Sequence, residues 1–359
     1  EKVGEFASTS PGQVTDIIFT LPMGATVGNT VMRVRGVYVF PGEADPIDPC
    51  YVYLYSEVED YLVEITPFLD CENVPDGPAL PGTPCDDGNA ATYNDTWDAN
   101  CNCIGLPSFV GVDLKVHLEG PYDPATGLMG DGLRANGLLP LTEPYTAMGY
   151  SFIGPPAGSL SPSQLGDNGP MSFVDWVIVE LRSMADPTVV VASRAGIVLR
   201  NGTVVDAATG QVPMRFEQVL GGDYHVAVRH RNHLGVMSAV AQGMCPVCLP
   251  ILDLSAPATP VYGTAARKSV SGTFPADLLW SGDATFNGDL KYTGAANDRD
   301  PILQSVGGVV PTNTSSGYVR EDVNMDGVVR YTGSNNDRDP ILQNIGGVVP
   351  TNIRLEQMP

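Results

Sequence analysis

The sequence predicts an all-β, multi-domain protein: β-sandwiches of the immunoglobulin or jelly-roll kind, a small disulfide-rich insert, and a C-terminal calcium-loop domain with short helices. Three observations carry this reading. Short apolar or alternating runs are separated by turn residues, and Gly 40 with Pro 31 make about a fifth of the 359-residue chain. Four cysteines crowd between Cys71 and Cys103 beside Gly, Asp and Asn. A close internal repeat fills the C-terminal segment.

Charge narrows the function classes. Lys plus Arg is 19 against 41 for Asp plus Glu, a formal net charge of -22. That balance repels nucleic acid and anionic membrane and suits divalent cations, or it simply solvates the surface. No apolar run approaches the roughly 20 residues of a membrane-spanning helix, and the strongest, Val174–Leu181, is strand-sized. The chain opens at Glu1-Lys2-Val3-Gly4 with neither Met nor signal peptide, as a mature or trimmed piece would. Cysteines at 50, 71, 85, 101, 103, 245 and 248 point to an oxidising compartment, hence an extracellular, secreted or cell-surface-attached protein. The odd count leaves one thiol free or paired outside the chain.

Residues 1–66 alternate in strand fashion. Met32, Val34 and Tyr38 fall on one face and Arg33 and Arg35 on the other, with Ile17 and Phe19 continuing the pattern upstream. Tyr51 to Ile65 is a second strand-rich run. The stretch Gln13-Val-Thr-Asp, Leu21-Pro, Gly28-Asn-Thr-Val-Met-Arg-Val-Arg35, Asp48-Pro-Cys50 and Ser56-Glu-Val-Glu-Asp-Tyr61 resembles the GEVED domain of secreted Bacteroidetes proteins, with Ser56 where that family usually has Gly. The resemblance covers the second half of the domain, so its earlier strands would precede Glu1. Half a sandwich leaves an apolar face and strand edges open. Either the missing strands are disordered or cut away, or a neighbouring subunit supplies them by strand addition.

Residues 67–107 hold too little apolar material to fold unaided. Two disulfides are therefore expected among Cys71, Cys85, Cys101 and Cys103, with three connectivities open. The segment is similar to the "CDDGN" cysteine-rich modules of secreted bacterial proteins. Asp86, Asp87, Asn89, Asn94, Asp95 and Asp98 form a hard-oxygen cluster able to hold calcium, or else a set of Asx-turn residues.

Residues 108–262 read as a second β-sandwich, with strands at Val112–Leu118, Val174–Leu181, Thr188–Ser193, Gly196–Arg200 and Tyr224–Arg229. The phrases from Leu118-Glu-Gly-Pro-Tyr to Val228-Arg-His-Arg-Asn-His-Leu-Gly-Val-Met237 resemble an uncharacterised region of large Bacteroidetes surface proteins, which implies a location and no chemistry.

Residues 263–359 contain the repeat. Asp298–Asn313 matches Asp337–Asn352 at fourteen of sixteen positions, at an offset of 39, and Asp283–Gly288 aligns with Asp322–Gly327. Two copies suggest a paired module and no solenoid. The pattern Asp322-x-Asn324-x-Asp326-Gly327 is the strongest motif in the chain. Calcium takes six to eight oxygens; alternating side chains of a tight loop converge on one point, Gly permits the turn, and the Val328 carbonyl follows. A standard loop closes with an acid at position 12, but Gly333 stands there. The closing acid is expected at Asp337, with Asp339 second, just before the helical run from Ile341. Copy one offers Asp283, Thr285, Asn287 and Asp289, then Asp298 and Asp300, and should bind more weakly. The arrangement resembles a dockerin-type calcium loop with an insertion, which implies Ca2+ as the cofactor and a cohesin-like partner.

Catalytic patterns are sparse. His117, His225, His230 and His233 include one close pair, Arg229-His-Arg-Asn-His233, whose arginines disfavour a cation; a surface or interface cluster is expected. Cys245-Pro-Val-Cys248 has redox spacing without a βαβ context, so a structural disulfide is expected, with Cys50 an alternative partner. Neither a GxSxG elbow nor a phosphate loop is present. The expectation is a non-enzyme: a structural subunit of an extracellular bacterial fibre or surface assembly, self-associating into a homopolymer and stabilised by calcium. The rivals are an adhesin binding glycans or a cohesin-like partner, and the accessory region of a secreted hydrolase.

Overall fold

The computed structural model describes residues 21, 25–37, 52, 54–89, 92–155 and 158–359. The expectations at Gln13–Asp16, Ile17, Phe19, Tyr38, Asp48–Cys50, Tyr51 and Tyr53 lie outside those residues. The chain divides into two compact units, residues 1–88 with 94–105, and residues 89–93 with 106–359. No described helix is long and apolar enough to cross a membrane.

In the first unit the strands Gly28–Val37 and Ser56–Ile65 form an antiparallel ladder. Its register sets Arg33 opposite Asp60, and the guanidinium grips the carboxylate with two 2.7 Å hydrogen bonds. Val31 and Leu62, also opposite each other, remain 61% and 75% exposed, so this ladder presents apolar side chains to solvent. The cysteine-rich segment is stapled by Cys71–Cys101 and Cys85–Cys103. Beneath the first bridge, Asp70 is buried and accepts the backbone N–H groups of Glu72, Val74 and Ala79, which supplies the order a hydrophobic core would otherwise give.

The second unit is built on a connected set of nine strands. Phe173–Ser183 lies in its middle, paired with Val190–Leu199 on one edge and Gly222–His230 on the other. All of Phe173–Ser183 except its last residue is buried, so both faces are covered. The two strands expected at Thr188–Ser193 and Gly196–Arg200 are one continuous strand. Gly196 makes no turn; it pairs with Val177 and Asp206 inside the ladder, and a Cβ there would come within 3.0 Å of Val204 and of the Val205 carbonyl. Glycine serves close approach here. Cys245 and Cys248 are bonded to each other; Cys50 is outside the described residues.

The repeats exchange parts. The strand Asp289–Lys291 of copy one pairs with Ile353–Leu355 at the end of copy two, and Val328–Arg330 of copy two pairs with Thr314–Ser316 at the end of copy one. Likewise the Thr293 hydroxyl donates to the Pro350 carbonyl at 2.9 Å, and Thr332 donates to Pro311 at 3.0 Å. The matching helices Arg299–Ser305 and Arg338–Asn344 share one core with Val323 and Val329. Proline sits in the first turn of each helix, where its missing N–H costs nothing. The two positions at which the sixteen-residue repeats differ are contacts with the rest of the unit. Asn344 is buried and donates to Glu119 at 2.6 Å and to the Ser281 carbonyl at 2.8 Å, where copy one has Ser305. Ile345, replacing Val306, packs with Leu234 of the sheet and Leu290.

Candidate metal centre

The two loops take the same local form because the first acid of each folds the chain back on itself. Asp322 Oδ2 accepts the N–H of Gly327 at 2.9 Å, and Asp283 Oδ2 accepts that of Gly288 at 2.9 Å. Gly327 and Gly288 have φ of 88° and 81°, a conformation that a side chain disfavours. The fifth loop position continues the turn in both copies: Asp326 Oδ1 accepts from Val328 N–H, and Asn287 Oδ1 from Asp289 N–H, while at position three of the second loop Asn324 Oδ1 accepts from Asp326 N–H.

The delayed acids close both loops. Asp337 is fully buried and accepts the N–H groups of Val323 at 2.8 Å, Asn324 at 3.2 Å and Arg330 at 2.7 Å. Asp298 likewise accepts from Thr285 and Lys291. Burial raises Asp337 to about 7, against the pull of those N–H donors, and the Asp322 and Asp326 carboxylates push it further up. Burial also raises Asp322 to about 6, with Arg231 opposing and Asp326 adding. In copy one burial lifts Asp283 to about 7 and Asp298 to about 6. Asp322 Oδ1 is buried and has no hydrogen-bond partner, as is Asp289 Oδ1 in the other loop.

Not every expected ligand joins the loops. Asp339 and Asp300 turn away: each accepts from an Asn three residues back (Asn336, Asn297) and from the adjacent Arg (Arg338, Arg299), and each is held below the usual carboxylate range first by that Asn. Asp326 keeps its place at position five, yet Oδ2 is 2.5 Å from Arg330, which also reaches the Val328 carbonyl at 3.3 Å. Asp289 pairs with Lys291. In the cysteine-rich unit, carboxylate oxygens of Asp86, Asp87 and Asp95 lie within 4.8 Å of one another. Asp98 is used otherwise, folding its own turn through the N–H groups of Asn100 and Asn102. Asn89 has a partner of its own, and Asn94 adopts φ 54° inside the strand Thr92–Trp97.

Sequence reasoning missed the residues that hold the second loop in place. A Cβ on Gly120 would lie 2.3 Å from the Val323 carbonyl, and one on Gly132 would lie 2.9 Å from that of Met325. The glycines of the 118–132 segment therefore let the loop backbone lie against it. From the other side comes the turn His230–His233, expected as a surface or interface cluster; it is buried, packed between the sheet and the second loop. Asp175 anchors it, accepting from Arg231 Nε at 2.8 Å, His230 Nε2 at 3.1 Å and the Tyr318 hydroxyl at 2.6 Å. Burial works to raise Asp175, but Arg231 and His230 outweigh it and hold it at about 2. Gly120 N–H donates to His233 Nε2, so the proton sits on Nδ1, between Asn232 Oδ1 at 2.8 Å and His230 Nδ1 at 2.9 Å. Both imidazoles are neutral, their pKa lowered chiefly by burial. The only signal for this network in the sequence was the unusual density of His and Arg between Arg229 and His233.

Such loops can hold a hard cation through carboxylate, amide and carbonyl oxygens. The histidine network, its nitrogens already committed to Asp175, Asn232, Gly120 and one another, serves to position. Comparison with curated proteins and with solved structures returns no match. Residues 1–64 match the GEVED domain family.

Proposed function

We propose that this chain is a non-catalytic structural subunit of an extracellular fibre or surface assembly of a Bacteroidetes bacterium, whose C-terminal repeats grip calcium as dockerin-like loops. One observation carries the calcium reading: Asp322 Oδ1 is buried without a partner, and its carboxylate adds to the repulsion felt by Asp337. A buried carboxylate oxygen lacking a donor is costly, and a divalent cation supplies both the contact and the countercharge. The three disulfides and the GEVED match at residues 1–64 support an extracellular setting. The exposed Val31 and Leu62 of the first ladder support association through that surface, and calcium would screen repulsion between subunits of charge -22.

The test is thermal melting of the full chain with calcium and with chelator, followed by electron microscopy and sedimentation across a concentration series. Calcium should raise the melting temperature and larger particles should appear as concentration rises. Melting indifferent to chelator removes the calcium reading, and monomers alone in saturating calcium remove the fibre.

A second reading, a glycan-binding adhesin, is favoured by a cavity of about 490 Å³ beside the first loop, lined by Tyr150, Glu180, Arg182, Arg229, Phe286 and Asn287. Aromatic rings among carboxylates and guanidinium groups suit a hydroxyl-rich ligand. Saturable binding on a glycan array without concentration-dependent assembly would favour it over the fibre.

A further inference from the structure

We infer that Asn232 couples the two repeat loops, so that their cations bind cooperatively and not as independent guests. This rests on the calcium reading above. Asn232 is fully buried at the tip of the turn between the strands Gly222–His230 and His233–Met237. Its backbone carbonyl accepts the N–H of Gly282 at 2.9 Å and of Asp283 at 3.1 Å. Its side-chain Nδ2 donates to the carbonyl of Asp322 at 2.7 Å and of Arg320 at 3.1 Å. Asp283 and Asp322 are the first residues of the two loops. One residue therefore holds the starting point of both.

The orientation of the amide follows from its surroundings. Two carbonyls face the nitrogen, and the His233 Nδ1 proton, set by Gly120 N–H on the far side of the ring, faces the oxygen. One further link joins the loops directly, and the turn has a second hold on the second loop. Arg320, two residues before the second loop, donates to the carbonyl of Thr285 in the first at 3.1 Å. Arg231 donates to the Val319 carbonyl and lies close enough to Asp322 to oppose the rise of its pKa.

A cation in either loop must settle the first acid of that loop. Settling Asp322 orders Asn232, and Asn232 then holds Gly282 and Asp283 ready for the second cation. The ordering cost of the shared turn falls on the first binding event, which leaves the second tighter. Coupling between sites commonly amounts to about 5–150-fold in affinity, and a shared pair of hydrogen bonds places this case at roughly tenfold.

The experiment is a calorimetric calcium titration of the full chain, decalcified beforehand, in three forms: unmodified, Asn232→Ala and Asp322→Ala. The unmodified chain should bind two cations at the repeats with a Hill coefficient above 1. In Asp322→Ala the affinity of the first loop should fall about tenfold although all its own ligands remain. In Asn232→Ala the two affinities should become independent; a purely structural role for Asn232 would lower stability and leave their ratio alone. Two independent sites, with the first loop indifferent to Asp322→Ala, overturn the coupling and leave calcium binding intact. No calcium uptake by the unmodified chain removes the calcium reading itself. Should Asn232→Ala not fold, the Asp322→Ala comparison gives the answer alone.

Discussion

The carboxylate of Asp337 accepts the backbone N–H of Val323 at 2.8 Å, fourteen residues earlier in the chain. That contact makes the second loop a closed ring, with the strand Val328–Arg330 as the extra length between its ends. Removing the carboxylate leaves three N–H groups without their acceptor, that of Val323 buried and those of Asn324 and Arg330 partly buried. Asp337→Ala should therefore cost about 2–4 kcal/mol in urea denaturation and weaken calcium binding sharply. Asp339→Ala, at a part-exposed residue paired with its own neighbours, should cost about 1 kcal/mol or less and leave calcium affinity unchanged. Equal effects at the two positions would contradict the assignment of Asp337 as the closing residue.

The pH dependence has a definite sign. Asp283 and Asp337 are raised to about 7, and Asp298 and Asp322 to about 6. A carboxyl raised in the folded state contributes stability below its unfolded pKa, near 4, and loses it as pH climbs through the folded value. The metal-free protein thus loses that contribution between about pH 4 and pH 7, while calcium needs the ionised form. The gain in melting temperature on adding calcium should grow from pH 5 to pH 8. Lowered histidines such as His230 and His233 act in the opposite sense, losing stability below about pH 6.5, but they do so with and without calcium and cancel in the difference. A calcium-induced gain that shrank with rising pH would contradict the burial of these acids.

Close packing at Gly120 predicts a graded series. Gly120→Ala sets a Cβ 2.3 Å from a backbone carbonyl, Gly132→Ala one at 2.9 Å, and Gly130→Ala meets nothing nearer than 3.7 Å. Loss of stability should follow that order, on the order of 3 kcal/mol for the first and under about 1 kcal/mol for the last. Calcium affinity should fall with it, since the displaced backbone belongs to the loop. Chemical denaturation of the three variants measures the order directly.

Arg231 and Asp175 are both fully buried and joined at 2.8 Å. Arg231→Met strands a carboxylate that still faces Tyr318 and His230, and should cost about 3–5 kcal/mol. Adding Asp175→Asn to that variant should recover part of the loss, because an uncharged amide needs no countercharge. A double mutant as unstable as the sum of the singles would place the value of this pair in packing instead.

The sequence made the all-β class plain, together with the repeat and its loop acids, because each rests on local spacing. Asp322, Asn324 and Asp326 stand two residues apart, which is enough to turn a chain around one point. The sequence ranks Asp337 ahead of Asp339 as the closing acid, but that it is the buried one of the two shows only in the fold. What it did not reveal were partners brought together from far along the chain. Gly120 looks like a turn residue until the Val323 carbonyl lies upon it, and Asn232 looks like a loop residue until it meets Asp283 and Asp322. Gly196 misled for a related reason: a glycine inside a strand reads as a break unless the neighbour that needs the space is known.

Because each copy lends a strand to the other and receives a hydroxyl contact in return, the duplicated tail has no seam at which it divides. Cutting between Ser316 and Asp322 would separate Val328–Arg330 from Thr314–Ser316 and split a single apolar core. Anyone transplanting this tail onto another scaffold, or trimming it to ask what one half does, has to carry both halves or neither.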